Sequence, residues 1–141
     1  MSTVSREIVI HWERPPLQKN PETELEWLCS VLGLVGPRDH EKTTLRILRQ
    51  VISNTKQGKP TSLEELSQAF RLSKPSVLHH ARKLVERGLI IPAMQQRRES
   101  LYELRMHSVE ETIEEIEQDF LRAFQRIRKV GEEIDKDFQS H

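Results

Sequence analysis

The sequence predicts a mostly α-helical fold with a small β hairpin, an α+β architecture, and three features of the chain indicate it. Two short amphipathic segments, residues 62–70 and 73–88, each begin with a serine that can cap a helix. Two apolar runs, residues 89–92 and 101–105, flank a polar tip and indicate a hairpin. A longer amphipathic segment without proline follows them and indicates one long helix at the carboxyl end.

Both short helices have a recognisable start, an apolar stripe and an end. At the first, the Ser62 hydroxyl can accept from the Glu65 amide while the Glu65 side chain reaches back, which is a capping box. Ser73 can cap the second helix, and Gly88 supplies the left-handed residue that ends it. The apolar stripes are Leu63, Leu66, Ala69 and Phe70 in the first helix and Val77, Leu78, Ala81, Leu84 and Val85 in the second. The order helix, tight turn, helix and basic-tipped hairpin predicts a winged helix-turn-helix.

The chain divides into three parts on this interpretation. They are an N-terminal arm with a short helix (residues 1–38), the winged helix-turn-helix domain (39–106) and a C-terminal dimerisation helix (107–141). In the arm, residues 6–12 predict a short strand, and Asn20 followed by Pro21 predicts the start of the short helix. Because the chain has little core, we expect Trp12 and Trp27 to anchor the arm to the domain or to a partner chain.

The C-terminal helix carries apolar residues at alternating steps of four and three, which is a heptad seam. The seam comprises Val109, Ile113, Ile116, Phe120, Ala123, Ile127, Val130 and Ile134. A helix of roughly 30 residues is about 45 Å long and cannot hide this stripe against its own small domain. The pattern therefore favours a homodimeric coiled coil, with parallel and antiparallel pairing both open. The alternative is that the helix folds back onto Leu25, Leu28 and Leu32.

Composition bounds the class of protein. Of the 141 residues, 35% are hydrophobic and 31% are charged, so the core is small or shared with a partner. No apolar run approaches the roughly 18 residues of a membrane span, and the amino terminus lacks a signal peptide. We therefore expect a cytoplasmic protein that binds no membrane. The lone Cys29 cannot form an intrachain disulfide, and its apolar neighbours favour a buried residue over a reactive thiol.

Charge and motifs narrow the function further. The net charge is zero, but residues 59–105 carry nine Lys or Arg against five Asp or Glu, whereas residues 106–141 carry five against ten. A basic centre favours a nucleic-acid partner. No glycine-rich phosphate loop, nucleophile elbow, zinc-protease signature or paired-cysteine motif is present, which argues against an enzyme, a metal site and any other cofactor. A metal site assembled across a dimer from His107 or His11 is the alternative.

Three stretches in the centre of the chain carry a family resemblance. They are Leu63-Glu64-Glu65-Leu66-Ser67, Leu72-Ser73-Lys74-Pro75-Ser76-Val77-Leu78-His79-His80 and Arg82-Lys83-Leu84-Val85-Glu86-Arg87-Gly88-Leu89-Ile90. They resemble winged-helix transcriptional regulators of the ArsR/MarR type. The resemblance implies binding of double-stranded DNA by a dimer, usually at a promoter. Metal sensing in the ArsR relatives relies on cysteine clusters, which this chain lacks.

The candidate base contacts lie on the face of the second helix that is opposite its buried stripe. Ser76, His79 and Lys83 project outward from that face, with His80 beside them. We expect these four side chains to enter the major groove, where lysine and histidine can donate to guanine. The alternative for His79 and His80 is a solvated pair on a helix surface.

The candidate backbone contacts lie at the helix start and at the hairpin tip. Lys74 and the Ser73 amide are in the first turn, where they can bind phosphate. Arg97 and Arg98 lie at the tip of the hairpin, where the resemblance implies contact with the minor groove or the flanking backbone. Arginine is favoured in a narrow A/T-rich groove because the negative potential is enhanced there. The alternative is an ordinary polar hairpin tip.

Two functions from different classes fit the sequence. The first is a sequence-specific, homodimeric DNA-binding regulator of transcription. The second is a winged-helix adaptor that joins a larger transcription or chromosome assembly through its arm and its acidic C-terminal helix. The polar and basic recognition face favours the first, because docking onto a protein would call for an apolar patch. No residue in the sequence identifies an effector ligand or separates a repressor from an activator.

Overall fold

The structure is a computed structural model that describes residues 7–35, 42–93 and 100–139. The elements within these residues are α1 (Pro21–Val31), α2 (Thr43–Lys56), β1 (Thr61–Ser62), α3 (Leu63–Phe70), α4 (Lys74–Glu86), β2 (Ile90–Pro92), β3 (Leu101–Leu104) and α5 (Val109–Gln139). Helices therefore dominate the described chain, and one small sheet joins them. This is the α+β architecture that the sequence predicts.

Polar side chains cap α1, α3, α4 and α5, and the first three of these caps are at the predicted positions. The Asn20 side chain accepts from the Thr23 amide at 2.8 Å, and the Ser62 hydroxyl accepts from the Glu65 amide at 2.9 Å. The Ser73 and Ser108 hydroxyls cap α4 and α5 in the same way. Each cap satisfies an amide that has no partner inside its helix. The other half of the predicted capping box differs, because the Glu65 carboxylate instead accepts from the Asn54 side chain at 2.9 Å.

The sheet has three antiparallel strands in the order β1-β3-β2. Strands β2 and β3 form the predicted hairpin, with Ile90 opposite Leu104 and Pro92 opposite Tyr102. Strand β1 pairs with the other edge of β3 through Thr61 and Ser62. Its two residues read in the sequence only as the start of α3, since a strand this short has no alternation to detect. The hairpin is thus tied directly to the helix-turn-helix.

The core lies between α2, α3, α4 and the sheet. Its buried apolar side chains are Leu45, Ile47, Leu48, Val51, Leu66, Val77, Ala81, Leu84, Leu89, Ile90, Tyr102 and Leu104. Asn54 of α2 is also buried, and its amide donates to the Thr61 hydroxyl at 2.8 Å as well as to Glu65. Gln50 donates to the Asn54 oxygen at 3.0 Å. A buried amide is costly unless its hydrogen bonds are made, and these bonds satisfy the Asn54 side chain. They also join α2 to β1 and α3.

Residues 7–12 of the N-terminal arm lie across the ends of α1 and α4. The His11 amide donates to the Val31 carbonyl at 2.7 Å, and the Glu7 amide donates to the Glu86 carbonyl at 3.1 Å. The Glu7 carboxylate also pairs with Arg87 at 2.7 Å. The described residues 7–12 do not form the predicted strand. Backbone bonds to helix ends hold them instead of a sheet partner.

Gly33 makes the close packing of the arm possible. It has a φ of +68°, and a Cβ built on it would lie 2.7 Å from a Val9 methyl carbon. The Arg87 guanidinium donates to the carbonyls of Leu32 at 3.2 Å and Gly33 at 3.4 Å. Residues 7–11, the residues after α1 and the end of α4 therefore contact one another directly.

The two tryptophans differ from each other. Trp27 is half-buried, whereas Trp12 is 85% exposed. The expectation that Trp12 anchors the arm to its own domain is wrong, because Val9 and Glu7 make those contacts. A contact between Trp12 and a partner chain stays a prediction.

Helix α5 packs on the domain only near its start. Thr112 and Ile116 are buried, and Arg105 at the end of the hairpin makes two hydrogen bonds to the Asp119 carboxylate, at 2.7 and 3.2 Å. Beyond Phe120 the helix leaves the domain. The predicted seam residues there, Ile127, Val130 and Ile134, are half or more exposed. Folding back of the whole helix onto α1 is therefore not seen. No helix of the described chain is both long enough and apolar enough to cross a membrane.

Candidate nucleic-acid interface

Helix α4 follows α3 after a tight turn and presents one face to solvent. Arg71 ends α3 with a left-handed φ of +52°, and Ser73 then caps α4. Pro75 lies in the first turn, where its missing amide hydrogen costs nothing. The exposed residues of α4 and its cap are Ser73, Lys74, Pro75, His79, Arg82 and Glu86. This face is polar, carries two permanent cations, and presents no large apolar side chain.

The first turn of α4 combines a positive helix end with a lysine. The Ser73 hydroxyl accepts from the Ser76 amide at 3.2 Å. The Lys74 ammonium lies 3.9 Å from the Glu64 carboxylate, and both side chains are more than half exposed. A pair of this kind contributes little, so Lys74 can exchange Glu64 for an anion at small cost. The helix end and Lys74 together suit a phosphate.

The four predicted base contacts occupy different environments. His79 is exposed, whereas Ser76, His80 and Lys83 are half-buried. The His80 Nδ1 is hydrogen-bonded to the Thr44 hydroxyl of α2 at 2.8 Å. The Lys83 ammonium donates to the Leu34 carbonyl at 3.1 Å. Outward projection of all four is thus not what the structure has. Two of them already bind groups within the chain.

Arg82 is a second exposed cation on this face, and the sequence did not predict it as a contact. On a helical projection at about 100° per residue, Arg82 and Lys83 lie about 50° to either side of the direction opposite the buried stripe. The projection alone cannot separate them. The chain after α1 covers the Lys83 side through Leu34, and Arg82 is left facing solvent. Because the two residues lie at equal angles from the buried stripe, the sequence offered Arg82 and Lys83 equally as candidate contacts.

Arg82 also lies near the hairpin. Burial raises the pKa of the Tyr102 hydroxyl on β3, and the positive charge of Arg82 opposes that rise. The electrostatic influence of Arg82 on Tyr102 connects the exposed face of α4 with the root of the hairpin. The Ala93 amide donates to the Leu101 carbonyl at 2.8 Å and closes that root. The predicted tip residues Arg97 and Arg98 lie outside the described residues.

Two further possibilities are a reactive Cys29 thiol and a metal site. Cys29 is fully buried, and burial raises the pKa of its thiol to about 12. The preferred interpretation of Cys29 as a buried helix residue is confirmed. Within residues 7–35, 42–93 and 100–139, no three His, Cys, Asp or Glu side chains come together as a metal site.

Comparison with known proteins agrees with this geometry. Residues 39–92 match a family model described as a helix-turn-helix domain, and they span α2, α3, α4 and β2. Together with the paired β2 and β3, this match decides the fold. The chain contains a winged helix-turn-helix domain.

One solved structure that is similar to the chain is distant in sequence. The crystal structure of the adhesin competence repressor (AdcR) from Streptococcus pyogenes is similar at 17% identity and a TM-score of 0.41. That match covers 79% of this chain and 83% of the repressor. No protein of curated function is detectably similar to this sequence. The fold assignment therefore depends on the elements described above.

Proposed function

We propose that the protein is a sequence-specific regulator of transcription that binds double-stranded DNA as a homodimer. In this proposal α4 enters the major groove, and the hairpin between β2 and β3 contacts the minor groove or the backbone. The observation that carries the proposal is the exposed face of α4. It presents Lys74, His79 and Arg82 at the end of a helix-turn-helix and beside the root of the hairpin. An exposed recognition helix of this polarity suits base edges and phosphates.

The proposed contacts divide into bases and backbone. His79 and Arg82 are the side chains that we expect to reach base edges, because arginine bonds guanine through two donors. Ser76, His80 and Lys83 lie at the flanks of the same face. Lys83 reaches the duplex only if it releases the Leu34 carbonyl. Phosphate contacts fall to Ser73 and Lys74 at the helix start and to Arg97 and Arg98 at the hairpin tip.

The homodimer is supported by the exposed part of the seam on α5. Ile127, Val130 and Ile134 are at least half exposed in the single chain, and burying side chains of this size is worth about 1.5–3 kcal/mol each. A two-fold dimer would present α4 twice to half-sites about 34 Å apart. A dimer that binds two half-sites at once has a higher affinity for DNA than a single domain.

Fluorescence anisotropy with a fluorescent duplex tests the proposal. Once a bound sequence has been selected, Arg82→Ala should weaken binding by about 1–3 kcal/mol and relax preference at one base pair. Arg14→Ala is the matched control, because it removes the same charge from an exposed site on the arm and should leave binding unchanged. Arg97→Ala with Arg98→Ala should lower affinity for all sequences and flatten the salt dependence.

Unchanged affinity in the Arg82 and hairpin variants would contradict the proposal. The adaptor is the second candidate, and the exposed Trp12 and Leu17 on the arm favour it. Its signature is negligible affinity for duplex DNA at low salt together with a protein that co-purifies through the arm. Replacing Trp12 with serine should release such a protein.

A further inference from the structure

We propose that two copies of the chain pair through α5 in an antiparallel orientation, offset so that the basic segment of each helix lies over the acidic segment of the other. This inference depends on the homodimer proposed above and specifies its geometry. It is carried by the charge order along α5, by the part of the helix that the domain leaves open, and by two apolar grooves.

The surface that the second copy covers runs along α5. Near the start of the helix, Thr112 and Ile116 face the domain, and Ile113 is the apolar side chain left partly exposed. Further along, the exposed apolar side chains are Leu121, Phe124, Ile127, Val130, Ile134 and Phe138. Leu121 lies about 180° around the helix from Val130, and the others line one broad face of α5, which a second amphipathic helix can cover.

Charge is arranged along α5 in blocks. Residues 110–119 contain six Asp or Glu and no Lys or Arg, whereas residues 122–129 contain four Lys or Arg and no Asp or Glu. Residues 132–137 are acidic again, with four acids against one lysine. Charges at the edges of a helix pair determine which partner and which orientation are favoured.

Two-fold symmetry leaves two arrangements of the helices. A closed dimer pairs them either parallel in register or antiparallel about a perpendicular axis. Parallel pairing places each block against its own copy, so that acid meets acid and base meets base. Antiparallel pairing with the axis near Phe120 places residues 122–129 of each chain over residues 110–119 of its partner. The block order therefore favours the antiparallel dimer.

The same offset brings the apolar groups together. With the axis near Phe120, Ile127 of one chain lies opposite Ile113 of the other, and Gly131 lies opposite Val109. A shallow groove on α5, lined by Ile127, Val130 and Ile134, surrounds Gly131, which has open space where a Cβ would stand. The facing groove, of about 350 Å³, lies between the arm, α1 and the start of α5 and is lined by Pro15, Pro16, Lys19, Glu24, Trp27, Leu28, Val109 and Ile113. The partner's helix fills this groove with its Ile127 and Val130 side chains.

Cysteine cross-linking distinguishes the orientations. In the antiparallel dimer, Ile113→Cys and Ile127→Cys should each give little covalent dimer alone and a strong disulfide-linked dimer when the two variants are mixed. The axis separates the two copies of either residue by about 20 Å, well beyond the reach of a disulfide. Wild-type protein is the control, because its buried Cys29 should form none. Self-linked dimers of each single variant, or an absence of links in all samples that sediment as dimers, would overturn the antiparallel offset.

Salt gives a second readout on the unmodified chain. Screening weakens attraction between opposite blocks, so the dimer dissociation constant should rise several-fold between about 0.05 and 0.5 M salt. A dissociation constant that falls with salt would contradict the pairing, since it would indicate like charges in contact. DNA affinity measured on the same samples separates this inference from the proposed function. A protein that binds DNA as a self-linked dimer overturns the antiparallel orientation alone, whereas a protein that sediments as a monomer overturns the homodimer itself.

Discussion

Arg82 and Lys83 show how a neighbouring segment decides the role of a side chain. The two residues are equivalent by helical geometry, yet Lys83 binds the Leu34 carbonyl and Arg82 faces solvent. An exposed guanidinium on a helix face carries no cost of releasing an internal partner when it meets a ligand. Loss of Arg82 should therefore change recognition without changing stability, whereas loss of Lys83 should change both.

Asn54 is the polar residue on which the interior depends most. Asn54→Ala removes the donor to Thr61 and Glu65 and leaves both without that partner inside the fold. We expect the free energy of unfolding to fall by about 1–3 kcal/mol, since buried groups left unpaired cost that much. Urea denaturation measures the change. The matched variant Gln50→Ala removes one bond at a half-buried site and should cost less than half as much. Equal losses would show that Asn54 acts by packing alone.

Cys29 should be chemically silent in the folded protein. Its thiol pKa is raised to about 12 from about 9 because burial disfavours the thiolate. At pH 8 a thiol reagent should label Cys29 only as fast as the protein unfolds. Folded and unfolded states both hold the proton below pH 9, so the effect on stability is absent there. Above pH 9 the unfolded state loses the proton first, and stability should fall as pH rises. Cys29→Ala should remove this part of the pH dependence, and rapid labelling at pH 8 would contradict it.

At the scale of the element, an ion pair joins the residue that follows β3 to the long helix α5. Arg105 and Asp119 are only 12% and 16% exposed, and their side chains are joined by two hydrogen bonds. Arg105→Ala should lower the free energy of unfolding by about 1–3 kcal/mol, because the partly buried Asp119 carboxylate loses two hydrogen bonds and keeps only the exposed Arg122 as a partner. Arg122→Ala removes the exposed partner of Asp119 and should cost under about 1 kcal/mol. Thermal denaturation compares the two, and equal costs would argue against a special role for Arg105.

Local sequence chemistry predicted the elements better than it predicted their contacts. Caps at Asn20, Ser62 and Ser73 and the hairpin were evident because each depends on residues close together in the chain. Strand β1 and residues 7–11 are held by partners far along the chain, so no local sequence pattern predicts their contacts. The candidate interface divided in the same way. The periodicity of α4 predicted which side of the helix is buried, but it could not predict that Lys83 binds Leu34 while Arg82 stays exposed, because Leu34 lies in a distant segment.

At the scale of the whole molecule, the second half of α5 should hold two chains together without stabilising either one. Ile127 is 64% exposed in the single chain, so Ile127→Asp should leave the protomer folded while raising the dimer dissociation constant at least tenfold. Sedimentation velocity measures the change, and circular dichroism checks the fold. Gln125→Asp, on the opposite side of the helix, adds the same charge and should leave the dimer intact. Equal effects of the two variants would mean that net charge, not the apolar face, controls association.

The close packing of Gly33 against Val9 restricts the movement of residues 7–12. Arg87, at the end of α4, donates to the Leu32 carbonyl beside Gly33. The His11 amide, one residue before the exposed Trp12, donates to the Val31 carbonyl. The contact between Gly33 and Val9 has no room for one more methyl group, so residues 7–12 can shift little against it. We therefore expect a force applied at Trp12 to reach the C-terminal end of α4 through residues 7–11, which bind Glu86 and Arg87.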